Sequence, residues 1–503
     1  MVQYSVFEMK PERYCYKHEL PLSKEFKVYV GNDEIPVYTC RISKYPFNRP
    51  WPGHERPYDQ TVEASFINLV GDGAVDLRVE TGMDFDAAWV KPYSKEIPCV
   101  REGSTLNVSL KERGQYVLQC DNPHHMLYIF YSKPIPAPEE RAVTYFFGPG
   151  IHFAGKIKLQ SNESVYIDRD AYVYGNIFAE NAENIRIFGN GILDGSMEAR
   201  AFQHCYEEHT NGNLKFHSCK NITVEGVGMK EASCFCVNFY GCSDIYMNEI
   251  KIFGQWRYNN DGIDIVNTGN VRIENSLIHS FDDTISIKGI ERYYYLDCCN
   301  IHVSNCVLWC DWGKCCELGA ETICRYYRDI SFTDCDILRA GSCGIDIAHR
   351  DCAEISDVRF ENIHIDYNGF DTVEVLQTGD EQTYPENAAQ AIPYFILFQN
   401  FCWRTHISYP YPPNVATGLL PIPDELDLSG VSSRGIHDVT VRNIFLHYDK
   451  TLPTENGKPI LNSIIVAREH TPPYYNIHIS GIYVNGQEID IRDTNLEMSN
   501  VII

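Results

Sequence analysis

From residue 145 onward, apolar and polar positions alternate in short runs punctuated by Asn, Asp and Gly. NITVEGVGM, DIYMNEIKIF, NVRIENSLIH, NIHVSNCVLW, DISFTDCDIL and DVRFENIHID follow one another along the chain. Such period-two alternation predicts strands whose side chains point in turn into a core and away from it. Each run opens on an Asn or Asp followed by Ile or Val: Asn184-Ile185, Asn221-Ile222, Asp244-Ile245, Asn270-Val271, Asn300-Ile301, Asp329-Ile330 and Asp357-Val358, then again Asp438-Val439 and Asn476-Ile477. From Asn221 to Asp357 the pair returns every 23 to 30 residues. A repeat of that length, made of short strands without helical periodicity, predicts a solenoid of parallel β coils. A leucine-rich repeat lacks support because its Leu/Asn consensus is missing, and the unit is too short for a four-stranded propeller blade. The expected fold is all-β: a right-handed parallel β-helix over residues 145–503.

Residues 1–135 read differently. Segments such as STLNVSLKERGQYVLQC and HHMLYIFYS, broken by Gly, Pro and Asp, predict a small antiparallel β-sandwich. The proline-rich, charged stretch around residues 136–144 reads as a linker. The repeat lapses at about residues 367–435, where FQNFCWRTHISYPYPPN is aromatic and irregular. That length exceeds a passive connection and predicts an excursion packed over one side of the solenoid, walling a cleft.

The 503 residues suffice for two domains with a sizeable core. A formal charge of −25 argues against nucleic acid and anionic membranes as partners. The N-terminal MVQYSVFEMKPERYCYKHEL shows no signal-peptide pattern, and no apolar run reaches membrane-spanning length. The 20 cysteines lack zinc-type spacing and read as reduced thiols used as small buried hydrophobes. A cytoplasmic location is expected, with no metal and no cofactor. Because β-helices can associate along their flanks, a homo-oligomer is compatible with the pattern.

One stretch departs from plain scaffold. YNNDGIDIVNTGNVRIENSLIHSFDDTISIKG, residues 258–289, carries Asp261, Asp264, Asp282 and Asp283. Strands of successive coils lie about 4.8 Å apart, and Asp261 and Asp282 are separated by about one coil, so they can sit side by side on the outer face. Asp282 and Asp283 cannot both point outward from one regular strand, which predicts a bend there. Close carboxyls raise one another's pKa, so such a cluster can present a protonated acid and a carboxylate together. Hydrolysis of a glycosidic bond requires that combination. Asp264 reads more simply as a turn or backbone partner.

The motif Asn259-Asn260-Asp261-Gly262-Ile263-Asp264-Ile265, followed by Asp282-Asp283, resembles the active-site pattern of the polygalacturonase family, glycoside hydrolase family 28. FFGPGIHFAGKIKLQSNESVYIDRDAYVYGNI and NIRIFGNGILDGS resemble the start of the β-helix in that family. A sandwich placed before the helix resembles the dextranase-like enzymes of family 49. The resemblance implies an inverting, metal-independent glycoside hydrolase acting on an oligo- or polysaccharide. It implies Asp282 as general acid, with Asp261 and Asp283 holding and deprotonating the water.

Departures from the pattern bear on the substrate. Where pectin hydrolases carry Gly-His-Gly this chain has WGKCCELGAET, which puts Lys314 at the histidine position. The next coil of the family has an Arg-Ile-Lys triplet; here GIDIAHRD places Asp346 and Ala348 at the triplet's ends. An acid in place of a base has the wrong sign for a uronate, so a substrate other than typical polygalacturonate is expected. Lys314, Glu317 and Glu321 are candidates for sugar hydroxyls, and Lys288 and Arg257 flank the acidic core. Asp346 and His349 are candidates from the following coil. Tyr293, in a Tyr293–Tyr295 run, and Trp312 suit stacking on sugar faces, as does Trp256. Two other readings stay open: a Ca²⁺-dependent polysaccharide lyase, with the acids as calcium ligands and Lys314 as base, and a non-catalytic carbohydrate-binding β-helix.

Overall fold

The computed structural model describes residues 2–5, 20–44, 58, 61–199, 212–293, 295–351, 353–370, 393–400, 435–455, 457–467 and 472–502. Thirty strands from Tyr145–Phe147 to Val501–Ile502 form one continuous sheet that winds as a right-handed parallel β-helix. Only the hairpin of Tyr474–Val484 with Gln487–Ile489 is antiparallel among its described pairings.

The physical reason for the repeat is local. Asn184, Asn221, Asp244, Asn270, Asn300, Asp329, Asp357, Asp438 and Asn476 all adopt positive φ, between 52° and 60°. Asn and Asp tolerate this left-handed region better than other side-chain-bearing residues, so each marks a corner where the chain turns into the next strand. The following Ile or Val points inward, and register stacks Ile222, Ile245, Val271, Ile301, Ile330 and Val358 into one apolar ladder. On the outside the corner amides chain together. Asn270 Nδ2 donates to Asp244 Oδ1 at 2.8 Å, and Asn300 Nδ2 donates to Asn270 Oδ1 at 2.9 Å.

The N-terminal domain is a sandwich of a six-stranded and a five-stranded sheet around its own apolar core. Its pairings are antiparallel except that Met126–Ser132 runs parallel to Thr61–Val70. It does not stand apart from the solenoid. Tyr38, Phe66, Tyr128 and Phe130 interlock with Phe253 and Trp309 in a shared cluster, and buried Lys91 pairs with Asp366. The proline-rich connection contains a single 3₁₀ turn, Glu140–Ala142.

Most of the aromatic excursion lies outside the described residues. Tyr394–Asn400 within it is a regular coil strand, paired in parallel with Cys343–His349 and Ser463–Val466. At this strand the solenoid continues. The described cysteines are all free thiols and nearly all buried, many of them in the solenoid core. No helix among the described residues is long and apolar enough to cross a membrane.

Candidate active site

One sheet of the solenoid carries the acids. Its strands include Leu214–His217, Val237–Tyr240, Ile263–Val266, Ile285–Gly289, Lys314–Thr322 and Cys343–His349. Ile263 and Ile265 enter the core, so Asp264 between them faces outward. Register then stacks Lys215, Asn238, Asp264, Ser286, Glu317 and Asp346 in one outward column.

Asp261 lies in the bend before Ile263, and Asp282 and Asp283 lie in the bend before Ile285. The bends are stacked by backbone hydrogen bonds: the Gly262 N–H donates to Asp283 O at 2.8 Å, and the Thr284 N–H to Lys314 O at 2.7 Å. Asn260 shapes the first bend. Its Oδ1 accepts from the N–H groups of Trp256 and Arg257, and its Nδ2 donates to Ala232 O and Cys234 O. Gly313 covers the second bend. A Cβ there would fall 2.5 Å from Asp283 Oδ1 and 2.6 Å from Asp282 Oδ1, so only glycine permits this approach.

Two ammonium groups organise the carboxylates. Lys288 Nζ donates to Asp261 Oδ2 at 2.8 Å and to Asp264 Oδ1 at 2.6 Å. Lys314 Nζ lies 2.5 Å from Glu317 Oε1, 3.7 Å from Asp283 Oδ1 and 3.8 Å from Asp346 Oδ2. Its own N–H also donates to Asp283 Oδ1 at 3.1 Å. Burial, then the charge of Asp283, pushes the Asp282 carboxyl up to about 8. Burial acts on Asp283 too, but Lys314, the neighbouring Glu317 and Lys288 outweigh it and hold that carboxyl below its ordinary range. Adjacent residues thus sit on opposite sides of neutrality, one protonated and one ionised. Burial raises Asp261, and raises Asp264 to about 6, against the pull of the single Lys288 they share.

The structure brings Asp261, Asp282, Asp283, Lys288, Lys314, Glu317 and Asp346 together. Asp264, which reads from sequence as a turn partner, instead faces outward and shares Lys288 with Asp261. Glu321 pairs with Arg350 at 3.4 Å, at the end of the Lys314 strand. Arg257 donates to Ser196 O and Glu198 O. His349 is an odd number of residues from Asp346, outside the outward series, and burial lowers its imidazole to about 4. The ring of Tyr293 is buried rather than presented, its hydroxyl 2.9 Å from His217 Nδ1. Trp312 is stacked on Phe281 with centroids 5.8 Å apart, and Trp256 is buried. These aromatic residues pack the walls, because neighbours from other coils close over them. Sequence reasoning named Asn260 only as part of the motif and missed Gly313, although its signal was present: a glycine abutting the acid bend.

Residues 136–377 match the family model "Glycosyl hydrolases family 28". The chain is 26% identical over 275 residues to a polygalacturonase of Persea americana, covering 53% of this chain and 51% of that one. It is also 26% identical over 231 residues to polygalacturonase-2 of Solanum lycopersicum, covering 44% of each. The chain spans about half the length of the relatives it matches. Among solved structures it resembles Dex49A from Penicillium minioluteum, with a TM-score of 0.58 and 14% identity over 97% of this chain and 94% of that one. The fold is that of a polygalacturonase-like glycoside hydrolase.

The comparisons correct the cytoplasmic expectation. The plant polygalacturonases matched are secreted or extracellular enzymes, and no positive feature favours the cytosol. The thiols carry no weight for that expectation, since buried groups such as Cys236, Cys310 and Cys316 are pushed far up by burial and are inert as core atoms.

Proposed function

We propose that this chain is a glycosidase that hydrolyses an oligo- or polysaccharide with inversion, using Asp282 as general acid and Asp283 with Asp261 as the water-activating pair. The observation that carries the reading is the split between adjacent carboxyls: Asp282 pushed up to about 8 and Asp283 held low beside Lys314. Asp282 gives its proton to the glycosidic oxygen as the C–O bond breaks. Water bonds to the anomeric carbon from the opposite face and passes a proton to Asp283. Asp261 has one oxygen on Lys288 and its Oδ1 without a partner among the described residues, which suits it to orient that water. The acidic outward column beyond the bends supports a substrate other than polygalacturonate.

Asp282→Asn is expected to lower kcat by about 10²–10⁴-fold while circular dichroism and the melting curve stay those of the folded protein. Retained turnover would remove Asp282 from the role. The anomeric configuration of the first product, read by NMR, tests the stereochemistry separately. Asp282 Oδ1 and Asp283 Oδ1 lie within about 5 Å of each other, whereas about 6.5–9.5 Å is usual between the carboxyls of inverting enzymes. That spacing is nearer the one usual in retaining enzymes, which makes the product configuration the deciding readout. A product of retained configuration would instead make Asp283 or Asp261 a nucleophile.

A further inference from the structure

Beyond the acid bends, the outward column continues through Ser286 to Glu317 and Asp346, which are register partners on adjacent strands. Both are 0% exposed. Glu317 directs Oε1 at Lys314, whereas neither oxygen of Asp346 has a hydrogen-bond donor among the described residues, the Lys314 ammonium being 3.8 Å away. A buried carboxyl without donors is costly to keep unless something supplies them. Asp346 is placed to receive a donor at the same face on which the acids lie, one to two coils from Asp282.

The charge at this place decides which donor. Lys314 is already shared among Asp283, Glu317 and Asp346. An incoming carboxylate would meet two acids whose bridging ammonium is already shared, and like-charge juxtaposition of this kind rejects a partner strongly. Sugar hydroxyls, by contrast, are neutral donors that fit acceptor oxygens. We propose that Glu317 and Asp346, bridged by Lys314, form a subsite that binds the hydroxyls of a neutral sugar residue and excludes uronates. The subsite rests on the hydrolase reading above, since it lies on the same sheet of the solenoid as the acid bends. Burial, opposed by Lys314, pushes the Asp346 carboxyl up to about 7, so the exclusion of uronates strengthens as pH rises through that value and the carboxyl ionises.

The test uses trimers that differ in charge: trigalacturonate, the same trimer reduced at its carboxyls to galactose, and isomaltotriose as a neutral sugar of another linkage. Binding is measured by calorimetry on the Asp282→Asn protein and turnover on the wild type. The expected result is at least tenfold tighter binding of a neutral trimer than of trigalacturonate. Asp346→Arg should then gain at least tenfold for trigalacturonate, whereas Asp346→Asn, which keeps the shape, should retain the neutral preference. Trigalacturonate bound as tightly as the neutral trimers, or no neutral trimer bound at all, overturns the subsite. Melting curves of each variant separate misfolding from altered recognition. Cleavage of trigalacturonate alone would leave hydrolysis standing and remove the subsite. Neutral binding without cleavage of any trimer would do the reverse.

Discussion

At the scale of single residues, Lys314 pulls down both neighbouring aspartates, enough to hold Asp283 ionised but not to overcome the burial of Asp282. In the proposed mechanism, turnover needs Asp282 protonated and Asp283 ionised. Activity is therefore expected to rise as pH climbs through the depressed value of Asp283, and to fall as pH climbs through about 8, where Asp282 loses its proton. Lys314 lowers both carboxyls. Replacing it with Met removes that pull and keeps the aliphatic stem. Both limbs of the profile of kcat/KM against pH should then move to higher pH, by about one unit or more. An unmoved acid limb would mean that Asp283 is not held ionised by this ammonium, and the assignment of water activation to Asp283 would fail with it.

At the scale of elements, the corner residues do more than interrupt the strands. Asn270 is exposed, adopts φ 56°, donates to Asp244 and accepts from Asn300. Asn270→Ala forces an alanine into the left-handed region at a cost of about 1–2 kcal/mol and cuts the amide chain. Asn270→Gly removes the amide but tolerates the dihedral. The alanine variant should show the larger fall in denaturant midpoint, and equal falls would assign the effect to the amides alone. These corners were legible in the sequence because the conformational demand is local and recurs with every coil. The strand Tyr394–Asn400 was not, because the sequence on either side of it lacks the alternating repeat, though its Ile396 and Phe398 enter the core like their counterparts. The acid bends were legible too, since adjacent aspartates are incompatible with one strand face. Tyr293 and Trp312 were misjudged for the opposite reason. Whether a ring is presented or buried depends on chain distant in sequence, here Gly241 and His217 for Tyr293 and Phe281 and Tyr258 for Trp312.

At the scale of the whole molecule, the sandwich reaches toward the chemistry through one buried relay that no single segment of sequence discloses. The Tyr128 hydroxyl lies 2.5 Å from His279 Nδ1, and His279 Nε2 lies 2.8 Å from Asp311 Oδ1, which also accepts from Trp309 Nε1. Asp311 opens the turn that carries Gly313 and Lys314, so an N-terminal side chain helps to seat the turn covering Asp282 and Asp283. Around the relay, Phe253 meets Phe66, Phe130 and Tyr128 at centroid distances of 5.0, 4.8 and 5.8 Å. An interface this apolar couples the two domains, and the chain should unfold in a single calorimetric transition. Phe253→Ala empties its centre, at a cost of about 3–5 kcal/mol. The sandwich and the solenoid each keep a core of their own, so that loss falls on the coupling between them, and the single transition should split into two. A variant that lowers the melting temperature yet still unfolds in one step would show that the domains are held together chiefly by contacts outside this cluster, such as Lys91 with Asp366.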